Sequence, residues 1–83
     1  MIELYVAEMC PFCAKVRYFL EQKGIAYILK PVPLRGGDSP YREELKQIGG
    51  KIQVPFLVDP EKQVKMYESD DIIEYLTTIS ARV

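Results

Sequence analysis

The sequence predicts an α/β domain, a four-stranded mixed sheet with three helices in the order β-α-β-α-β-β-α. Three observations predict it. An alternating apolar strand runs straight into a helical pattern. A second short apolar run follows that helix. Two more apolar runs, separated by one tight turn, precede a last helical pattern. A strand, a helix and a strand in succession form a right-handed unit with parallel strands, whereas strands joined by a tight turn lie antiparallel.

Ile2, Leu4 and Val6 alternate with Glu3 and Tyr5, which places the first strand over residues 2–6. Pro11 suits the first position of the helix that follows. Phe12, Val16, Phe19 and Leu20 recur at helical spacing, and Gly24 is a natural stop. Residues 26–30, Ala26-Tyr27-Ile28-Leu29-Lys30, read as the second strand, parallel to the first. Pro31 to Pro40 holds three prolines and Gly36-Gly37, a loop composition. A short helix is expected over Tyr41 to Ile48, with Asp38 or Ser39 near its cap and Gly49-Gly50 ending it. Phe56-Leu57-Val58 is the third strand, Asp59-Pro60-Glu61-Lys62 a turn, and residues 63–67 the antiparallel fourth strand. Ser69 is expected to cap the last helix, with Asp70 and Asp71 in its first turn, where negative charge suits the helix dipole. Ile72, Ile73, Leu76 and Ile79 form its apolar stripe.

The whole chain, residues 1–83, reads as one domain with one core, without internal repeats or linkers. A formal net charge of −1 with dispersed basic residues gives no reason to expect nucleic acid or an anionic membrane as partner. The sequence contains no histidine, which removes Cys-His and Ser-His catalysis and imidazole metal ligation. No signal-peptide pattern opens it, and no run of about 18 apolar residues occurs, so the expected compartment is the cytoplasm. There, two closely spaced cysteines point to catalysis or metal binding rather than to a structural staple.

Those cysteines are Cys10 and Cys13 of Cys10-Pro11-Phe12-Cys13. The predicted frame puts Cys10 at the helix N-cap and Cys13 inside the first turn. The Cys13 backbone N–H then faces the Cys10 sulfur, and the helix dipole with its unpaired N–H groups favours a thiolate there. Residues spaced i, i+3 on a helix lie about 5–6 Å apart, within reach of a disulfide. Cys10 can therefore attack a disulfide, and Cys13 can release the product by closing a redox-active Cys10–Cys13 disulfide. Two other readings are an inert buried pair and half of a zinc site; structural zinc usually needs four ligands, and two cysteines without histidine do not supply them. Val54-Pro55 stands directly before the third strand. It is either a proline tolerated at a strand start or a cis bond that offers the Val54 backbone to an extended thiol peptide. The Ser69-Asp70-Asp71 segment caps a helix, and its free N–H groups also suit a ligand carboxylate, while Asp70 or Glu68 suits a ligand ammonium.

With Cys10-Pro11-Phe12-Cys13, Val54-Pro55 and Ser69-Asp70-Asp71 in this order, the chain resembles the glutaredoxin family along essentially its whole length. It is also similar to the glutathione-binding N-terminal domain of glutathione transferases, which shares the thioredoxin-like fold. The resemblance implies a glutathione-dependent thiol–disulfide oxidoreductase. Glutathione would be its co-substrate, with no metal, and disulfide-containing or glutathionylated proteins its partners; a monomer is expected. It further implies that Cys10 forms the mixed disulfide, flanked by Pro11 and Phe12. Val54, beside Pro55, would bond the cysteinyl backbone, Glu68, Ser69 and Asp70 would hold the γ-glutamyl end, and Lys51 would face the glycyl carboxylate. Three positions depart from the glutaredoxin pattern. Ala7 stands where a lysine is frequent and is followed by Glu8, whose charge works against a nearby thiolate. Tyr67-Glu68 replaces a pair of glycines, and Glu68-Ser69 is closer to the transferase domain. A glutathione-binding module with little turnover, and an iron–sulfur carrier built from two chains, are the alternatives.

Overall fold

Strand β1 (Ile2–Val6) is the centre of the sheet, because every other strand reaches the fold through it or through its neighbour. The computed structural model describes residues 1–34 and 39–80. Around β1 the order is β2-β1-β3-β4, with β2 over Tyr27–Pro31, β3 over Phe56–Asp59 and β4 over Val64–Tyr67. β1 pairs parallel with β2, Leu4 opposite Leu29, and antiparallel with β3, Leu4 opposite Leu57. β3 and β4 form the antiparallel hairpin, Phe56 opposite Tyr67.

Successive strand residues point to opposite faces, and in β1 both faces are covered. Leu4 and Tyr5 are each fully buried. On one side, Ile2, Leu4, Val6 and Leu57 pack against Cys13, Val16 and Leu20 of α1 (Pro11–Lys23) and Ile72 and Leu76 of α3 (Ser69–Ser80). On the other, Tyr5 and Phe56 pack with Val32 and with Leu45 of α2 (Pro40–Gly49). Burying one such aliphatic side chain contributes about 1.5–3 kcal/mol, so the two clusters hold three helices to one strand pair.

The α2 side also carries a polar lock. The Lys30 ammonium of β2 donates to Glu3 Oε1 at 2.6 Å and to Glu44 Oε2 at 3.1 Å. The Tyr5 hydroxyl donates to the same Glu44 oxygen at 2.7 Å. Burial and then the Glu44 contact push Tyr5 up to about 12. Burial works against the Lys30 charge, but its bonds to Glu3 and Glu44 outweigh that and hold Lys30 above its ordinary range. The Tyr5 bond in turn lowers Glu44. One cation thus ties edge strand β2 and central strand β1 to α2, with its partners satisfied.

The expected element order stands, with local shifts. β2 runs over Tyr27–Pro31 rather than 26–30, and β3 extends to Asp59. β4 starts at Val64, since Gln63 adopts φ 56 in the preceding turn. Ser39 is the α2 cap, its hydroxyl accepting from Tyr41 N–H at 3.2 Å, while Asp38 lies outside the described residues, as does Gly36-Gly37. Two corrections bear on the site. Phe12 is not part of the α1 core stripe: it is 61% exposed, and Cys13 takes the buried position instead. Ser69 is the first helical residue of α3, not its cap, because the Ile72 N–H donates to Glu68 O at 3.0 Å and makes Glu68 the N-cap.

Gly49, at the end of α2, is a close-approach glycine. A Cβ there would collide with the Tyr67 hydroxyl and come within 2.9 Å of Tyr67 Cζ and 3.3 Å of Phe56 Cζ. That hydroxyl donates to the Lys51 carbonyl at 2.7 Å and so pins the segment leading to Val54. Gly49→Ala should displace Tyr67 and destabilise the fold by about 1–3 kcal/mol, the usual cost of overpacking. Urea unfolding checks this; an unchanged midpoint would mean that Tyr67 can swing aside freely.

Candidate functional site: a thiol pair beside a cavity between two helix N-termini

The chain leaves β1 through a turn and enters α1 at Cys10. Met9, the residue before it, has φ 67 and is 94% exposed. Cys10 is extended (φ −91, ψ 113), the geometry of an N-cap, and its carbonyl accepts from Ala14 N–H at 3.0 Å. Its side chain does what an N-cap side chain does: the Cys13 backbone N–H donates to Cys10 Sγ at 3.3 Å. Pro11 follows at N1, where no N–H is required. At the other end Gly24, at φ 66, closes the helix.

The two thiols sit in different surroundings. Cys10 is partly exposed, whereas Cys13 is 1% exposed within the α1–α3 core. Burial, then the hydrogen bond with Cys10, push the Cys13 thiol up to about 12; a backbone contact with Ala7 and the Arg17 charge only partly offset this. Cys13 is therefore a protonated, inward thiol, and the accessible sulfur on a donor-rich helix end is Cys10.

Beside α1 a cavity of about 500 Å³ is lined by Phe12, Gln53, Val54, Pro55, Glu68, Ser69, Asp70 and Asp71. The Val54–Pro55 bond is cis, as one of the two sequence readings had it. Of the residues singled out from the sequence, Phe12, Val54, Pro55, Glu68, Ser69 and Asp70 thus converge on one space. Cys10, Pro11 and Cys13 do not line it; they face an adjoining hollow of about 340 Å³ with Ala7, Glu8, Met9 and Arg17. Lys51 lines neither, and its ammonium lies 4.7 Å from the centroid of the Tyr67 ring. Glu8 is exposed at the rim of the Cys10 hollow.

Ser69 is 7% exposed, and Asp70 and Asp71 follow it in the first turn of α3. Their N–H groups precede the first intrahelical bond, so this end of the cavity is rich in donors. Glu68 holds φ 70, and its carboxylate accepts from Gln53 Nε2 at 3.1 Å. The sequence reading did not single out Gln53 or Lys15, and it named Asp71 only as part of Ser69-Asp70-Asp71. Lys15 of α1 forms an ion pair with Asp70 across the helix interface. Its only sequence signal was an exposed helical position one turn beyond Pro11, which does not distinguish it from other surface lysines.

A profile of the glutathione S-transferase N-terminal domain family matches residues 4–82. Glutaredoxin 3 of Escherichia coli (strain K12) is 32% identical over 54 residues, which cover 65% of this chain and 61% of that protein. The structure of glutathione transferase Omega 3C from Trametes versicolor superposes with a TM-score of 0.76 at 30% identity, over 94% of this chain and 33% of that one. That of glutaredoxin 2 from Salmonella typhimurium, in complex with glutathione, superposes with a TM-score of 0.73 at 28% identity, over 92% of this chain and 32% of that one. The chain thus spans less than two thirds of the glutaredoxin relative and about a third of the two solved structures.

The Cys13 environment predicts an alkaline instability. Its folded value near 12 lies above the ordinary 9.0, so between pH 9 and 10 the unfolded chain releases a proton that the folded chain keeps. Stability should be unaffected by this group below pH 8 and fall as pH rises through that window. Urea unfolding at pH 8, 9 and 10 should show a shallower decline for Cys13→Ala. Equal slopes would place the Cys13 thiol in a more solvated setting.

Proposed function

The chain belongs to the glutathione S-transferase N-terminal domain family, with its thioredoxin-like fold, and on that premise we propose that it is a glutathione-dependent thiol–disulfide oxidoreductase with Cys10 as nucleophile. The observation that carries the proposal is the Cys13 N–H donating to an accessible Cys10 sulfur at the tip of α1. A transferase-type binding domain needs no second thiol one turn from the first.

Cys10 as thiolate attacks the glutathione sulfur of a glutathionylated protein; the new Cys10–glutathione bond forms as the old S–S bond breaks, and the protein leaves as thiolate. The glutathione unit is retained in the adjoining cavity. Val54 supplies backbone groups at its floor, Ser69 and the α3 N-terminus face the γ-glutamyl carboxylate, and Asp70 faces its ammonium. A second glutathione thiolate attacks the mixed disulfide, releasing oxidised glutathione and the Cys10 thiolate. For a protein disulfide, Cys13 is the alternative resolving thiol, and it must lose its proton first. Lys51 keeps a role here only by leaving the Tyr67 ring to meet the glycyl carboxylate. Disulfide-containing and glutathionylated proteins are the proposed substrates, met as a monomer in the cytoplasm.

The second reading, a glutathione-binding module with little turnover, draws on Glu68-Ser69 at the cavity and on the short span of the chain against the transferase structure. Kinetics separate the two. Cys10→Ser should abolish glutathione-coupled reduction of every disulfide. Cys13→Ser should keep activity on glutathionylated peptides, lose most reduction of protein disulfides and accumulate a Cys10–glutathione adduct visible by intact mass. Glutathione binding without turnover in the unaltered chain would favour the module instead.

A further inference from the structure

The carboxylates around the cavity, Glu68, Asp70 and Asp71, outnumber the cations among the described residues, since no described lysine or arginine lines it. Such a space repels a lone carboxylate, and the N–H groups of α3 only partly answer that. Lys15 supplies the missing charge. It reaches from α1 to Asp70 Oδ1 on α3, and the two helices share one core cluster that includes Val16 and Ile72. We propose that Lys15 and Asp70 form a preassembled receptor for the α-amino-acid end of the ligand, Lys15 taking the α-carboxylate and Asp70 the α-ammonium.

Three features support this. The α-amino-acid end of a γ-glutamyl group carries both charges on one carbon, and an ion pair is its electrostatic complement. Each partner has capacity left: Lys15 has two further N–H donors, and Asp70 Oδ2 accepts no hydrogen bond among the described residues. Both side chains are open to a ligand, at 52% and 83% exposure, so docking does not require the pair to break. The inference rests on the glutathione reading of the cavity and adds Lys15 to it as a specificity-determining residue. The opposite role is a Lys15 that occupies Asp70 and competes with the ligand ammonium.

The test is the equilibrium of mixed-disulfide formation at Cys10, read by intact mass in the Cys13→Ser background. Cys10 attacks the oxidised ligand and expels one thiolate, so the constant reports how well the retained half is held. Oxidised glutathione is compared with oxidised cysteinylglycine, which lacks the γ-glutamyl group. Lys15→Met should lower the constant for glutathione about five- to tenfold, the range for a charged hydrogen bond weakened by exposure, and leave cysteinylglycine unchanged. With glutathione whose α-ammonium is replaced by hydrogen, Asp70→Asn should lose its effect while Lys15→Met retains it. A rise in the glutathione constant in Lys15→Met would make Lys15 a competitor and overturn the proposal. No change, or an equal fall for both ligands, would overturn it too. If the starting chain itself does not prefer glutathione to cysteinylglycine, the glutathione reading of the cavity falls first, and this inference with it.

Discussion

A strand buried on both faces has to be covered twice, and β1 imposes that requirement on the chain. Leu4 calls for α1 and α3 on one side, and Tyr5 calls for α2 on the other. Only then do β2 and β3 have fixed places on its two edges. The site is a consequence. Because α1 and α3 share the Leu4 face and pack through Val16, Leu20, Ile72 and Leu76, their N-termini end at the same level of the fold. The first brings Phe12 and the second Ser69 and Asp70 to the cavity that Val54 and Pro55 also line, while Cys10 faces the adjoining hollow. The α3 end concentrates unpaired N–H donors at the cavity, which suits a carboxylate, and the α1 end presents its own beside it at Cys10, which suits a thiolate.

Much of this was legible in the residues. The order of seven elements follows from alternation in Ile2–Val6, the Pro11 and Gly24 boundaries of α1, and the Asp59-Pro60 turn. The Cys10 N-cap follows from Pro11 alone, since proline is tolerated at N1 and nowhere deeper. What misled was periodicity read without geometry. Phe12 and Val16 share helical spacing, yet Cys13, between them, takes the core position and Phe12 turns to the cavity. Ser69 has the composition of a cap, but the positive φ of Glu68 moves the helix start one residue earlier. Lys51 matches a family position by spacing, while its ammonium rests on Tyr67, a contact made possible only by the side-chain-free Gly49. Contacts between residues far apart in sequence, such as Lys15–Asp70 and Gln53–Glu68, leave no local pattern to read.

The polar lock and the thiol pair show how one chain treats burial in two ways. Lys30, Glu3, Glu44 and Tyr5 are all removed from full solvation, but each finds an opposite charge or a donor, so the groups stay in the state their partners require. Cys13 is buried, and among the described residues the Arg17 charge only partly offsets that burial, so its thiol is held neutral. The first arrangement contributes rigidity to the sheet far from the cavity. The second sets a chemical boundary, because a buried thiol held protonated must lose its proton before it can attack.

That boundary bears on which disulfides the proposed reaction favours. With its pKa pushed up to about 12, Cys13 stays protonated at neutral pH. Internal closure benefits from proximity, a large effective concentration that offsets much of this penalty. Part of the elevation also arises from the Cys10 sulfur itself, and this contribution changes when that sulfur is tied into a mixed disulfide. Burial, the larger cause, does not lapse. An external glutathione, fully solvated and with an ordinary thiol, faces no such penalty on its way to Cys10. The protein environment therefore shifts the partition of the mixed disulfide away from Cys13 and toward the second glutathione. The cavity beside Phe12 and the α3 N-terminus would hold the adduct while that second molecule arrives. In the proposed reaction, the burial that packs Cys13 into the core disfavours its thiolate and so favours the one-thiol route through Cys10 and glutathione.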